Sequence, residues 1–155
     1  MRRVDQRVLV AWLCVAAWIS MIWVSSNEEF SFQTTSGVLV PFLRWLSPEL
    51  SWQAIQNIHD VIRKAAHLAE YAVLAGLAFR AFRVSLDIRL GHVGVLTLAV
   101  VLAIAGLDEL RQSWLPARTG SVTDVLIDLT GGAIGVVTLI GFHRWLGIRR
   151  PGTGV

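Results

Sequence analysis

Ionisable side chains gather at a few points of an otherwise apolar chain, and their spacing indicates shared helix faces. His67, Glu70 and Tyr71 stand at positions i, i+3 and i+4, which lie on one face of a helix. Asp124 and Asp128 are likewise one helical turn apart. Imidazole and carboxylate groups are common general acids and bases in enzymes. The sequence therefore predicts an acid–base cluster composed of His67, Glu70, Asp108, Glu109, Asp124 and Asp128.

Basic and hydrogen-bonding side chains accompany these acids. A planar guanidinium binds phosphate in a bidentate manner, so Arg118, together with Lys64, is suited to hold a phosphate group. We predict a ligand-binding set that comprises Lys64, Tyr71, Gln112, Arg118 and Ser121. His67, Glu70 and the nearby acids also offer the nitrogen and oxygen ligands that divalent metal ions accept, although nothing in the sequence requires a metal. No Ser or Cys stands in a convincing nucleophile context.

The composition excludes a water-soluble enzyme of this size. Of the 155 residues, 54% are hydrophobic and only 16% are charged, and the mean hydropathy is +0.58, whereas about a quarter of the residues in an ordinary soluble domain are charged. The length allows a single domain over residues 1–155. The net charge of +3 does not indicate nucleic-acid binding, because the basic residues do not form one patch.

Four apolar segments approach the roughly 20 residues that cross a bilayer, at 8–24, 65–82, 90–107 and 122–145. The first could be a cleaved signal peptide, but its apolar run is long for one and no small-x-small cleavage site follows, so we predict a retained anchor helix. Its 8–24 stretch has no ionisable side chain, and we expect it to support the polar site without contributing to it. The predicted fold is all-α, an integral membrane bundle of four transmembrane helices.

The distribution of basic residues predicts the orientation of these segments. With the N-terminus inside, nine Lys and Arg residues fall on the cytoplasmic side and five on the outer side. Cytoplasmic loops carry an excess of Lys and Arg. We therefore predict a multi-pass protein of the cytoplasmic membrane with both termini in the cytoplasm. The acid–base cluster then faces outward.

The segment 25–64 becomes a long outer loop in this topology. Ser47-Pro48-Glu49 is a typical helix start, with a capping hydroxyl and a proline in the first turn. Apolar residues then recur at helical spacing and form one stripe: Trp52, Ile55, His59, Ile62 and Ala66. We predict an amphipathic helix that lies on the outer membrane interface and runs into the second span.

Three stretches resemble the signatures of the VanZ-like family. The first, 63–74, has a basic residue, His67 and then Tyr71 one turn later; the second, 108–121, has Asp-Glu-x-x-Gln followed by Pro and Arg. The third, 124–135, has two Asp residues and then glycines, among which Gly131 and Gly135 form a GxxxG motif that allows close helix packing. The resemblance covers residues 63–141. Ala117 replaces a common Gly, and Asp128 a frequent Asn.

The resemblance implies a role in the cell envelope. The family takes its name from a membrane protein associated with low-level resistance to teicoplanin, a glycopeptide whose target lies outside the cytoplasmic membrane. We predict that the protein binds or modifies a lipid or a lipid-linked envelope component. A non-catalytic binding or assembly factor and a small transporter stay open as alternatives. The cations near the acids could also serve only to neutralise charge at the helix ends, and the sequence does not indicate an oligomeric state.

Overall fold

The computed structural model describes residues 5–26, 32–114 and 121–147, and all regular structure in these ranges is helical. This confirms the all-α class. The helices are α1 (Gln6–Ser25), α2 (Phe32–Leu46), α3 (Trp52–Ser85), α4 (Leu90–Gln112) and α5 (Val122–Trp145).

Three of these helices, α1, α4 and α5, are long and apolar enough to cross a membrane. They contain the first, third and fourth predicted spans. The predicted second span lies within α3, which is not among the three helices that are long and apolar enough to cross a membrane. Its apolar half contains His67, Glu70 and Arg80, and these residues lower its mean hydropathy. The chain therefore has the helices of a membrane protein, with three candidate spans by length and composition.

The start of α3 differs from the prediction. Residues 48–49 form a turn, and the helix begins at Trp52, because the Ser51 hydroxyl accepts a hydrogen bond from the Ala54 N–H and caps the helix. The predicted start at Ser47 is therefore wrong. The helix then continues without interruption to Ser85, as the prediction that it runs into the second span requires.

The predicted apolar stripe of this helix is only partly correct. Ile55 and His59 are buried, whereas Trp52 and Ile62 are about half exposed, at 49% and 51%. In addition, the predicted outer loop 25–64 contains a second helix, α2, that the sequence analysis did not predict. Pro41 lies inside α2 and lowers its helix propensity, which obscured the pattern.

Hydrogen bonds at two levels show how α1 and α3 run relative to each other. At one end, the Ser25 hydroxyl of α1 donates to the Glu70 carboxylate of α3 over 3.2 Å, and at the other the Trp12 indole N–H donates to the Ser85 hydroxyl over 3.0 Å. The helices α1 and α3 are therefore antiparallel and in contact over the length of α1. Buried side chains from four helices form one core, which includes Ile22, Leu74, Val101 and Val136.

Glycines let α5 approach two neighbouring helices closely. A Cβ atom on Gly131 would overlap the Leu68 carbonyl of α3, and one on Gly135 would lie 2.8 Å from the Ala72 carbonyl oxygen. On the other side, a Cβ on Gly132 would lie 2.7 Å from Cγ1 of Val101 in α4. The close packing predicted for the GxxxG motif is confirmed, and it is made with the backbone of α3.

We expect Gly131→Ala to destabilise the bundle, because the added methyl meets rigid backbone and the helices must move apart. Overpacking of this kind costs about 1–3 kcal/mol. Gly141→Ala in the same helix is the matched control, since nothing lies within 4 Å of its added Cβ. Thermal unfolding of both variants in detergent measures the difference. Equal unfolding temperatures for the two variants would contradict the packing described here.

Candidate functional site

Two ion pairs join α3 to α5 at the same end of the bundle. The Arg63 guanidinium lies 3.4 Å from the Asp124 carboxylate, and Nδ1 of His67 lies 3.3 Å from Oδ1 of Asp128. In each helix the two partners are four residues apart, which is about one turn. The helices α3 and α5 therefore run parallel, and the two ion pairs form two levels, or rungs, that lie one helical turn apart. The contact of Gly131 with Leu68 continues this parallel arrangement.

The inner rung, His67–Asp128, is largely withdrawn from solvent, with side-chain exposures of 13% and 2%. Its two facing atoms are close but not aligned for a hydrogen bond, so both lack a hydrogen-bond partner among the described residues. The hydroxyl of Tyr71, one turn further along α3, is also fully buried and lacks such a partner. Because buried polar atoms are nearly always hydrogen-bonded, three such atoms on neighbouring turns mark a place suited to a polar ligand.

The acids of α4 have partners of their own. Asp108 is 1% exposed, and its two oxygens meet the Arg111 guanidinium at 3.0 Å and the Gln112 amide at 2.8 Å. Glu109 accepts a hydrogen bond from the backbone N–H of Ser121, the residue that caps α5. This bond fixes the end of α4 to the start of α5. These contacts give Asp108 and Glu109 a clear part in holding the helix ends.

Glu70 connects the site to α1. Its carboxylate accepts the hydrogen bond from Ser25, and its backbone carbonyl accepts one from the Trp18 indole at 2.9 Å. The expectation that the stretch 8–24 does not contribute stays a prediction, because this side-chain hydrogen bond comes from Ser25. Ser25 was missed because it lies one residue beyond the predicted span. The signal was a pair of serines at the end of the helix that meets the acid cluster.

A shallow pocket opens between α3 and α5. It is lined by Arg63, Lys64, His67, Asp124, Ile127 and Asp128. The pocket thus unites three of the predicted acid–base residues with one predicted ligand-binding residue, Lys64, which is exposed. Glu70, Asp108 and Glu109 do not line it. Of the remaining predicted ligand-binding residues, Arg118 lies outside the described part of the chain.

The described residues do not support the metal hypothesis. In the ranges 5–26, 32–114 and 121–147, no group of three or more His, Cys, Asp or Glu side chains is placed to hold a metal ion. The physical reason is the arrangement of the acids: Asp124 faces Arg63 and Asp108 faces Arg111, so their oxygens point to cations rather than to a common centre.

Fold and site together define a helical membrane protein with a polar pocket at one end of an apolar bundle. The family model described as VanZ/LLP1 matches residues 9–143. This is nearly the whole chain, and it includes α1 as well as the motif region. The chain therefore belongs to the VanZ/LLP1 family, and the resemblance found in its sequence is confirmed. No curated protein and no solved structure gives a significant match.

We expect a measurable coupling between Ser25 and Glu70. The single proton of the Ser25 hydroxyl is shared between the Glu70 carboxylate at 3.2 Å and the Ile22 carbonyl at 2.9 Å. The coupling should therefore be about 1 kcal/mol, and Ser25→Ala should destabilise the bundle less when Glu70 is already Ala. Ser20 is the matched control, because its exposed hydroxyl bonds only to the Ala16 carbonyl of its own helix. A double-mutant cycle of unfolding free energies measures the coupling. Additive effects for Ser25→Ala and Glu70→Ala would contradict it.

Proposed function

We propose that this protein resides in the cytoplasmic membrane and binds a phosphate-bearing lipid or lipid-linked envelope component at an outward-facing polar site. The observation that carries the proposal is the pocket between α3 and α5. It combines the cationic side chains of Arg63 and Lys64 with the buried pair His67–Asp128 at one end of an apolar bundle. Arginine and lysine are the usual ligands of phosphate groups.

A fourth span is part of the proposal and corresponds to the second half of α3. From Glu70 to Ser85 this helix runs antiparallel to α1, with hydrogen bonds to α1 at both ends. The fifteen steps from Glu70 to Ser85 rise about 22 Å, so this contact extends over much of the hydrocarbon thickness of about 30 Å. A helix that lies against a membrane-spanning helix over about 22 Å crosses the bilayer beside it.

The charges favour an outward orientation of the pocket. The described residues at the opposite end of the bundle include five arginines: Arg7, Arg80, Arg83, Arg89 and Arg144. Positively charged residues concentrate on the cytoplasmic side of membrane proteins. The proposal therefore has both termini in the cytoplasm and places Arg63, Lys64 and His67 near the outer headgroups.

We expect cysteine labelling to establish this orientation. In a Cys14→Ala background, a membrane-impermeant maleimide added outside the cell should label Trp114→Cys, which is 79% exposed at the end of α4. It should not label Asp87→Cys, which is exposed between α3 and α4 at the other end, until the membrane is permeabilised. Labelling of position 87 in intact cells would overturn the proposed topology.

Membership of the VanZ/LLP1 family supports a role in envelope processes of the glycopeptide-resistance type. The ligand of this pocket would then be an envelope lipid or a lipid-linked precursor in the outer leaflet, where teicoplanin acts. A profile of lipids and lipid-linked precursors from cells with and without the protein tests this role directly. Teicoplanin susceptibility of the same cells is the second measurement.

A catalytic version of this function is the second candidate, and the His67–Asp128 pair favours it. A carboxylate 3.3 Å from an imidazole nitrogen can pair with the imidazolium that forms when the ring takes up a proton. His67 would then transfer a proton to or from the ligand in the pocket, while Arg63 and Lys64 hold its phosphate. The described residues that line the pocket include no Ser or Cys nucleophile, so water or the ligand itself would supply the attacking group.

We expect the variants His67→Gln and Asp128→Asn to separate the two candidates. An enzyme changes the chemical composition of the lipid or precursor pool, and both variants should abolish that change while the protein still accumulates in the membrane. A binding protein leaves the pool unchanged but copurifies with a lipid that the variants lose. Asp60→Asn is the control, because this exposed acid of α3 lies outside the pocket. The function is contradicted if both variants match the wild type in both measurements.

A further inference from the structure

Charge in the α3–α5 pocket is ordered by depth. Lys64 is exposed at the rim and makes no ion pair with any described residue. Arg63 is also accessible, with a third of its side chain exposed, and its guanidinium has more N–H donors than the single contact with Asp124 uses. The floor is formed by Asp128, whose side chain is 2% exposed. The pocket is therefore cationic at the rim and acidic at the floor.

The acidic character of the floor is not fully balanced by the described cations. Asp128 lies in the field of Asp108 and Asp124 as well as that of His67, and Glu70 adds a further carboxylate nearby. Arg63 and Arg111 face Asp124 and Asp108. Among the described residues, Asp128 and Glu70 are not paired with Lys or Arg. With His67 as a neutral imidazole, a ligand group that carries positive charge would complete this balance.

The floor also has the right hydrogen-bonding atoms for such a group. Oδ1 of Asp128 is an acceptor without a partner among the described residues. The Tyr71 hydroxyl, which can donate as well as accept, is buried near these acids and does not line the pocket. A primary ammonium group has three N–H donors and no acceptor. It therefore matches both the charge and the hydrogen-bonding pattern of the floor, whereas a phosphate does not.

The distance between rim and floor limits the ligand further. The two rungs, Arg63–Asp124 and His67–Asp128, are one helical turn apart, which corresponds to a rise of about 6 Å. A ligand that reaches both levels needs an anion and a cation joined by a short link of about two carbons.

We infer that the pocket recognises a phosphoethanolamine group, that is, a phosphate joined through two carbons to a primary ammonium, at the head of a membrane lipid. The inference rests on the proposed lipid-binding function and specifies its ligand. The phosphate lies between Lys64 and Arg63, and the ammonium donates to Asp128. A phosphocholine group lacks N–H donors and carries three methyl groups, so it cannot satisfy the floor. A phosphate without an amine satisfies the rim alone.

The test compares water-soluble short-chain lipids that share their acyl chains and differ in the head: phosphatidylethanolamine, phosphatidylcholine and phosphatidic acid. Binding to the purified full chain in a non-ionic detergent is measured by calorimetry. We expect phosphatidylethanolamine to bind at least about tenfold more tightly than phosphatidylcholine, since the contrast is the loss of a hydrogen bond between charged groups. Asp128→Asn should remove this preference, and Lys64→Gln should weaken the binding of all three lipids.

Two controls keep the test sharp. The comparison of the ethanolamine and choline lipids on the wild-type protein tests the inference even if Asp128→Asn does not fold, and Asp60→Asn should leave the preference unchanged. Equal affinity for the ethanolamine and choline lipids, with binding that still depends on Lys64, would overturn the headgroup inference and leave the proposed lipid-binding function intact. Failure of all three lipids to bind the wild-type protein would instead contradict the proposed function itself.

Discussion

The arrangement of the polar pocket depends on one steric condition, the contact of the α5 backbone with the α3 backbone. Gly131 and Gly135 meet the carbonyls of Leu68 and Ala72 with no space for a Cβ atom. Small residues at such positions are the usual means by which membrane helices approach closely, because van der Waals contact has to replace the hydrophobic effect there. This contact sets the axial register of the two helices. The same register brings the acids of α5 opposite the basic residues of α3.

Register alone does not make the charges compatible with an apolar bundle. An ionisable group inside a membrane costs at least a few kcal/mol unless it has a partner. The acids of this bundle differ in how well they are partnered. Asp108 has two partners within its own helix, and Glu109 receives the N–H of Ser121. Among the described residues, the ion-pair partner of Asp128 is His67, at a distance and angle that leave one oxygen without a hydrogen bond. The acids of α4 thus stabilise the scaffold, while Asp128 keeps one acceptor atom without a partner in the described part of the chain.

The sequence predicted the helical class, three of the candidate spans and the glycine contact because each rests on a local pattern: apolar length, or the spacing of small residues. It did not predict α2, since Pro41 and a short apolar run are poor helix signals. It placed the start of α3 at Ser47 because Ser-Pro-Glu is a typical helix start, whereas in the structure the Ser51 hydroxyl caps the helix. The pairing of His67 with Asp128 depends on the rotation of two helices about their axes. A spacing rule for one helix contains no such information.

The continuity of α3 has a mechanical consequence. Its 34 residues are about 51 Å long, which exceeds the roughly 30 Å of hydrocarbon in a bilayer. A helix of this length without proline tilts as one rod when the bilayer becomes thinner or thicker. In the proposed topology the centre of the span 70–85 lies about ten residues, or about 16 Å, beyond His67, so a tilt of the rod lowers His67 toward the bilayer midplane. Bilayer thickness would then shift the height of the pocket relative to the headgroups that it is proposed to bind.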